Sequence, residues 1–317
     1  MGLSRDTLAK LEIQARALST HASTSIEGNP LPLTDVKKLL QSNPAYLRDT
    51  EREVLNYNHA LQKIYTEIKT GTFHLSVQTM NAIQALVVKG LMEKAEDIGR
   101  IRQQHVVIRD PRRPDAIVFI PPDYKDVPKL TKDLIGFINR NVGTIDPIIL
   151  AGLFHRQNVI IHPYMDGNGR STRLLATAIL GQGGLDIFEI FSFENYYNQN
   201  IRRYFTAVGL QGDYYELEHT INFTEWLEYF ADGILDELSR VRKTIPTIQR
   251  PRLEDHHKKI LRHIEKHGSI TQREYGKMVS RSLAARKKDF QKLLALGLIE
   301  SHSGGRSLYY TLTEKRW

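Results

Sequence analysis

The run HPYMDGNGRSTR, residues 162–173, constrains this chain more than any other feature of its sequence. It combines a titratable base, a carboxylate, an amide, two glycines and two guanidinium groups, a mixture that core packing does not require. The apolar residues 174–180 follow it and predict a helix. Residues 166–170 are therefore predicted to form a loop that enters a helix N-terminus, where unpaired N–H groups and the helix dipole attract an anion.

The side chains of this run suit a nucleotide as that anion. Arg170 and Arg173 can bind phosphate oxygens bidentately, and the two glycines let the backbone approach them. Asp166 is a hard oxygen ligand suited to Mg²⁺, and His162 has the ordinary pKa of a general base. Asn168 can either fix the loop or contact phosphate. No Gly-x-x-x-x-Gly-Lys-Ser/Thr sequence occurs, which argues against a Walker-type ATPase.

The run resembles the Fic motif, His-Pro-Phe-x-Asp/Glu-Gly-Asn-Gly-Arg-x-x-Arg, and departs from it only at Tyr164. The resemblance extends over about residues 20–240. It implies that a Tyr, Thr or Ser hydroxyl of a target protein attacks the α-phosphate of ATP, with His162 as base and Mg²⁺ on Asp166. The nucleotide-binding residues that it implies in the run are Asp166, Gly167, Asn168, Gly169, Arg170, Ser171, Thr172 and Arg173.

A second, shorter match lies near the N-terminus. The residues Ser23, Glu27 and Gly28 resemble the inhibitory motif Ser/Thr-x-x-x-Glu-Gly/Asn of Fic proteins. The resemblance implies that Glu27 pairs with Arg173 and holds ATP in an unproductive position. An ordinary helix C-terminus that happens to contain a glutamate is the alternative.

A surface hairpin is predicted from two short alternating runs, residues 104–109 and 116–120, which flank a polar turn. It resembles the Fic flap, which binds a target segment along its edge. The contact residues implied are Ile117, Val118 and Phe119, and a purely structural hairpin is the alternative. Gly99 and Arg102 match a family pattern that we interpret as structural.

Two aromatic residues follow the motif in the position where Fic proteins have two tyrosines near the adenine. They are Tyr204 and Phe205. The resemblance implies contact with the nucleotide, and aromatic core packing is an equal alternative for either side chain.

The fold class predicted is mainly α, a Fic-type helical core with a β-hairpin flap, followed by a small winged helix-turn-helix domain. The predicted domains are an N-terminal helical region (1–95), a catalytic core (96–243), a linker (244–251) and the winged helix (252–317). The helices of the first two domains are predicted at 3–20, 35–41, 48–70, 77–91, 127–140, 146–160, 169–181, 194–209 and 222–243. Helices at 254–267, 271–279 and 282–296 and strands at 298–301 and 307–313 are predicted for the last one.

The net positive charge of the chain lies in its C-terminal part. Residues 251–317 hold 15 Lys and Arg against 7 Asp and Glu, which accounts for the whole net charge of +8. If this part binds DNA, the contact residues expected are Arg281, Arg286, Lys287 and Lys288 at the third helix and Arg306 at the wing. Dimerisation or protein docking is the alternative.

Composition excludes some functions. The chain has no cysteine, so disulfides and thiolate chemistry are absent, and no apolar run is long enough to span a bilayer. We expect a soluble, cytoplasmic protein without membrane contact.

The function predicted is transfer of AMP from ATP to a target protein, inhibited by the chain's own glutamate. The partners considered besides the target protein are the chain itself, through self-modification, and a second copy, in a homodimer. The alternatives are a Fic enzyme that uses another donor or removes AMP, and a DNA-binding regulator with a Fic-type sensor core.

Overall fold

The computed structural model describes residues 5–42, 44, 46–110, 113–185, 188–244, 253–304 and 307–313. The chain divides into two compact units, Ser4–Arg242 and Lys243–Trp317. The predicted linker falls almost wholly outside the described residues. No helix within the described ranges is long and apolar enough to cross a membrane.

Four helices open the first unit, and a 3-10 turn, Ala95–Asp97, follows them. Their bounds are α1 Arg5–Ile26, α2 Leu33–Leu39, α3 Asp49–Lys69 and α4 Val77–Val87. Helix α3 forms because Val54, Tyr57, Leu61 and Ile64 recur at helical spacing and are fully buried. Helix α4 ends earlier than predicted, since the chain turns at Gly90, whose φ of 70° suits glycine.

The predicted hairpin is present with shifted bounds. Strand β1, Ile108–Asp110, pairs antiparallel with β2, Arg113–Ile120, and the pairing is irregular along β1. Residues 111 and 112 of the turn lie outside the described part.

Helices resume after the hairpin and fill the rest of this unit. They are α5 Val127–Asn141, α6 Pro147–Ile161, α7 Asn168–Gln182, the 3-10 turn Phe188–Ile190, α8 Glu194–Gln199, α9 Ile201–Val208, α10 Tyr214–Leu217 and α11 Thr224–Thr244. A short strand, β3 Gly212–Asp213, precedes α10 and pairs parallel with the end of β2. The single helix predicted at 194–209 is wrong: Asn200 leaves the helical conformation, and its side chain caps α9 at the backbone N–H of Arg203, 3.0 Å away.

Helix α7 is the central helix of the first unit. Every residue from Arg170 to Leu180 is buried, because α1, α3, α4 and α6 all pack against it. One hydrophobic core runs from Ile26 to Ile234 and includes residues on both sides of the domain boundary predicted after residue 95. The first unit is therefore a single body, since α3 and α4 bury their apolar faces on α7.

The described part of the second unit has three helices and a three-stranded sheet. Its elements are α12 Asp255–His267, β4 Ile270–Thr271, α13 Gln272–Met278, α14 Leu283–Ala295, β5 Ile299–Gly304 and β6 Ser307–Leu312. The sheet is antiparallel with the order β4-β6-β5. Helices and hairpin follow the predicted order, and β4 is an added strand that the sequence did not indicate, because two residues are too few for an alternating pattern.

Candidate active site

His162 stands where α6 ends. Its φ of 52° is in the left-handed region, and it is the sole non-glycine residue with positive φ in the described ranges. Such a conformation costs on the order of 1 kcal/mol and needs support from its surroundings. The support is a hydrogen bond from the His162 N–H to the carbonyl of Asn158, 3.0 Å, and one from Arg102 Nε to the carbonyl of His162, 2.8 Å.

The imidazole of His162 is half-buried and neutral at physiological pH. Burial, the largest effect, lowers its pKa to about 4, and the cation of Arg102 acts in the same direction, while Glu27 and Asp166 oppose it. Its Nδ1 lies 3.4 Å from the carbonyl oxygen of Val159. A proton on Nδ1 points to that carbonyl and leaves the lone pair of Nε2 free to accept a proton.

Arg102 joins the base of the flap to the motif. Its guanidinium donates to the carbonyls of Gln104 and Pro122, at 2.9 and 2.6 Å, in addition to that of His162. Its own N–H donates to the carbonyl of Pro163, 2.9 Å. The structural interpretation of Arg102 is supported by these contacts, which place a buried cation among backbone oxygens from both ends of the hairpin.

Asn168 fixes the loop between the two helices. Its side-chain oxygen accepts from the N–H of Tyr164, 2.9 Å, and its amide donates to the Tyr164 carbonyl, 2.7 Å. Gly167, with φ of 82°, precedes α7. The backbone N–H groups at the start of α7 therefore emerge from a rigid turn, which suits the binding of an anion.

Two predicted nucleotide contacts lie inside the helix packing. Thr172 is fully buried, and its hydroxyl donates to the carbonyl of Asn168 and accepts from Asn158, both at 2.7 Å. Ser171 is also fully buried. Direct contact of these two side chains with nucleotide is not supported by this placement, because both are fully buried.

Arg170 holds two carboxylates at once. Its guanidinium lies 2.6 Å from Glu53 and 3.1 Å from Asp166, and the arginine side chain is only 7% exposed. Asp166 is half exposed, with a side-chain exposure of 52%, and accepts from the N–H of Gly167, 2.6 Å. An exposed carboxylate beside a helix N-terminus is accessible to a cation. Glu53 was missed in the sequence, since one glutamate beside the buried stripe of α3 has no distinguishing pattern.

Arg173 and the predicted inhibitory residues come together. Arg173 is fully buried; its Nε donates to the hydroxyl of Ser23, 2.7 Å, and its terminal nitrogen to Glu27, 2.7 Å, and to the Ser23 carbonyl, 2.9 Å. Burial by itself would lower the pKa of Arg173, but the Glu27 carboxylate raises it above its usual value. Gly28, with φ of 96°, turns the chain directly after Glu27.

The Glu27 carboxylate also lies over the start of α7. A Cβ added at Gly169 would come within 2.1 Å of Glu27 Oε1, so only glycine permits this approach. The carboxylate thus stands in the position of an anion at a helix N-terminus and on a buried arginine.

Some of the aromatic and flap residues predicted to contact a ligand are buried, and others are exposed. Tyr204 is buried, with its hydroxyl 3.0 Å from His155 Nε2, whereas Phe205 is 43% exposed. On β2, Ile117 is 50% exposed and Val118 is half-buried, but Phe119 packs with Ile160 and Tyr214. Tyr204 and Phe119 are therefore packed in the core, with the Tyr204 hydroxyl also 3.4 Å from Arg173, whereas Ile117, Val118 and Phe205 retain accessible surface.

Solved structures of other proteins share this fold. A Fic family protein from Desulfovibrio desulfuricans G20 superposes with a TM-score of 0.60 at 19% identity, over 100% of this chain and 98% of that one. Residues 134–508 of Fic-1 from Caenorhabditis elegans superpose with a TM-score of 0.59 at 21% identity, over 78% and 68% of the two chains. The chain has the Fic fold.

The family model is more specific. Residues 74–180, about a third of this chain, match the Fic/DOC family. Protein adenylyltransferase fic-1 of C. elegans is 28% identical over 172 residues, 53% of this chain and 32% of that protein. Protein adenylyltransferase Fic of Drosophila erecta is 25% identical over 185 residues, 57% and 35% of the two. The chain thus spans about a third of the length of these curated relatives.

Proposed function

We propose that this protein transfers AMP from ATP to a hydroxyl group of a target protein. The observation that carries the proposal is the joint placement of a neutral base, His162, an exposed carboxylate, Asp166, and a helix N-terminus with two arginines, Arg170 and Arg173. The adenylyltransferase names of the relatives support ATP as the donor.

The residues present fit ATP and Mg²⁺. In the described part of the chain, the Nε of Arg170 is buried without a hydrogen-bond partner, and the Glu27 carboxylate already occupies an anion position at α7. Asp166 would hold Mg²⁺, which when bound supplies neutralisation of phosphate charge. Phosphate oxygens of the nucleotide would supply further ligands beside the half-exposed Asp166.

The chain's own groups perform the remaining steps. His162 Nε2 accepts the proton of the target hydroxyl as its oxygen bonds to the α-phosphorus, and the bond to pyrophosphate breaks. The N–H groups at the start of α7, with Arg170, orient the phosphates. The exposed Ile117 and the half-buried Val118 present the flap to the target segment.

Glu27 is proposed as an inhibitor of this reaction. Its carboxylate neutralises Arg173 and lies over Gly169, so phosphate oxygens and Glu27 compete for the same cation and the same backbone. Productive binding of the triphosphate therefore requires Glu27 to leave Arg173.

The test is incubation of wild type and Glu27→Gly with labelled ATP, CTP, GTP or UTP and Mg²⁺. We expect weak self-labelling of the wild type and strong labelling of the variant, from ATP alone. Labelling only from UTP would overturn the donor, and release of AMP from a modified protein without any labelling would favour the reverse reaction.

Transfer should persist at acidic pH. Because the folded protein disfavours the imidazolium of His162, whose pKa is lowered to about 4, the base stays neutral as pH falls through 6.5. Single-turnover rates of Glu27→Gly at pH 5.5 and 7.5 are expected to differ by less than about twofold in this step. An acid limb centred near 6.5 would contradict the assignment of His162 as the desolvated base.

We propose DNA binding by the second unit as a second function, on the observation of one exposed face of α14. Three long polar side chains there, Lys287, Lys288 and Gln291, are exposed, whereas the helix's acidic residue, Asp289, is buried. The three helices and the hairpin follow the order of a winged helix, whose recognition helix enters the major groove.

Two of the arginines predicted for the basic surface have partners within the second unit. Arg281 Nε lies 3.0 Å from Asp289, and Arg286 donates to the carbonyl of Gln272, 3.5 Å, so partners within the unit hold both arginines. Arg306 lies outside the described residues. The contacts expected from α14 are thus the two lysines.

An electrophoretic shift of a random duplex by the full chain tests this second function. Replacing Lys287 and Lys288 with alanine is expected to weaken binding and to reduce the slope of log K against log salt by about 2, one per lost phosphate contact. The matched control replaces Lys37 and Lys38 with alanine, since these two lysines are also consecutive and exposed but belong to α2 of the first unit. An equal loss of DNA affinity in both double variants would show non-specific charge attraction and contradict the binding of α14 to DNA.

A further inference from the structure

Arg170 is shared between two carboxylates of different origin. Asp166 belongs to the motif and lies one helical turn before the arginine, whereas Glu53 comes from α3. The Glu53 contact is the shorter, at 2.6 Å against 3.1 Å, and the glutamate is the less exposed of the two. The two carboxylates contact different terminal nitrogens of the guanidinium, and Glu53 is its closer and more buried partner.

The second oxygen of Glu53 has a partner in the N-terminal segment. Asn29 donates its side-chain amide to Glu53 Oε2, 2.6 Å, and to the carbonyl of Thr50, 2.9 Å. The Asn29 side-chain oxygen accepts from the N–H of Leu31, 3.1 Å. Asn29 is 8% exposed, so these are desolvated hydrogen bonds and costly to leave unmade.

Asn29 is two residues after Glu27 and belongs to the same turn. The N–H of Asn29 and that of Glu27 both donate to the carbonyl of Thr24, at 3.1 Å each. Anchoring Asn29 thus restricts Glu27, which contacts Arg173. Arg170 and Arg173 lie three residues apart on α7, so one chain of contacts joins them: Arg173, Glu27, the turn, Asn29, Glu53, Arg170.

We propose that Glu53 is a positioning residue that couples the two motif arginines, holding Arg170 directly and, through Asn29, the turn that keeps Glu27 on Arg173. The coupling itself follows from these contacts alone. Its role in regulating AMP transfer rests on the proposed function. Displacement of Glu27 strains the hydrogen bond between Asn29 and Glu53. An anion that binds Arg170 in place of Glu53 weakens that same hydrogen bond. Glu53 and Asn29 act as a latch on the inhibitory turn.

Amide hydrogen exchange without nucleotide tests the coupling independently of any activity. Glutamine at position 53 has an oxygen at one side-chain position and an NH₂ group at the other, and the NH₂ group cannot accept, so one of the two contacts made by the separate oxygens of Glu53 is lost. Glu53→Gln and Asn29→Ala are expected to raise exchange of the amides of Glu27, Gly28 and Asn29 by about tenfold. The control Glu67→Gln alters an exposed ion pair on the same helix and should leave these amides unchanged.

Unchanged exchange at residues 27–29 in both variants, with melting temperatures close to that of the wild type, overturns the coupling. If Asn29→Ala or Glu53→Gln strongly lowers the melting temperature, Asn29→Ser is measured in its place, because serine also removes the side-chain amide but is a milder change. Unchanged exchange at residues 27–29 in Asn29→Ser then overturns the coupling.

A transfer measurement tests the regulatory part. Asn29→Ala is expected to raise AMP transfer about two- to tenfold in the wild-type background and by less than about twofold in Glu27→Gly, where the inhibitory contact is already gone. An equal increase in both backgrounds overturns the latch. If no variant transfers AMP, the proposed function fails, and the exchange result still decides whether the two arginines are coupled.

Discussion

Replacing His162 with alanine in the Glu27→Gly background is expected to lower AMP transfer by about 10²- to 10⁴-fold, the usual contribution of a general base. The half-buried imidazole is neutral, with a pKa lowered to about 4, and its Nδ1 faces the Val159 carbonyl, so the proton of the target hydroxyl has Nε2 as its acceptor. The measurement is the single-turnover rate of labelled AMP incorporation with ATP and Mg²⁺.

Two further variants separate chemistry from structure. His162→Asn tolerates the left-handed backbone conformation that His162 adopts but is not a base, so it should lose transfer as fully as alanine. His219→Ala removes an imidazole that is 90% exposed and should leave the rate unchanged. If His162→Asn retains most of the rate, His162 is a structural residue of the α6 terminus and the proposed base is wrong.

Replacing Glu27 with glycine is expected to raise AMP transfer by about ten- to a hundredfold. Loss of the charge-assisted contact with Arg173, on the order of 1.5–3 kcal/mol, removes the competitor for the phosphate oxygens. Glu27 lies just after α1, in a turn where glycine costs little helix stability. Self-labelling rates of the two proteins at equal ATP concentration provide the comparison.

The charge and the size of Glu27 can be separated. Glu27→Gln keeps the volume over Gly169 but not the ion pair with the buried Arg173, so an intermediate activation is expected. Equal labelling of wild type, Glu27→Gln and Glu27→Gly would refute the inhibitory role and leave Glu27 as a structural partner of Arg173.

Much of the fold was predictable because hydrophobic periodicity is local. The buried residues of α3 repeat at helical spacing, and its predicted range of 48–70 agrees with Asp49–Lys69. Failures occurred where a local polar group overrides the apolar pattern. Asn200 interrupts an otherwise continuous helical pattern by capping α9, and no hydrophobic signal marks it.

The candidate site divides in the same way. Residues 162–173 and Glu27 were recognisable because several fixed polar residues follow one another in sequence. Glu53 and Asn29 were not, since each is a single polar residue whose partner lies far along the chain: Glu53 reaches Arg170 across 117 positions. Contacts of that separation have no spacing from which to infer them.

The sequence by itself determined the helical framework, the basic C-terminal part and the motif that places a base, a carboxylate and two arginines at a helix entry. The tertiary structure decided which of the predicted contact residues remain accessible to a ligand. Packing buries Ser171, Thr172 and Tyr204, which the resemblance had assigned to the nucleotide, and Phe119, which it had assigned to the target segment. It also pairs Glu27 with Arg173 and Glu53 with Arg170, because α1 and α3 pack against the central α7 and bring two distant carboxylates to its first turns.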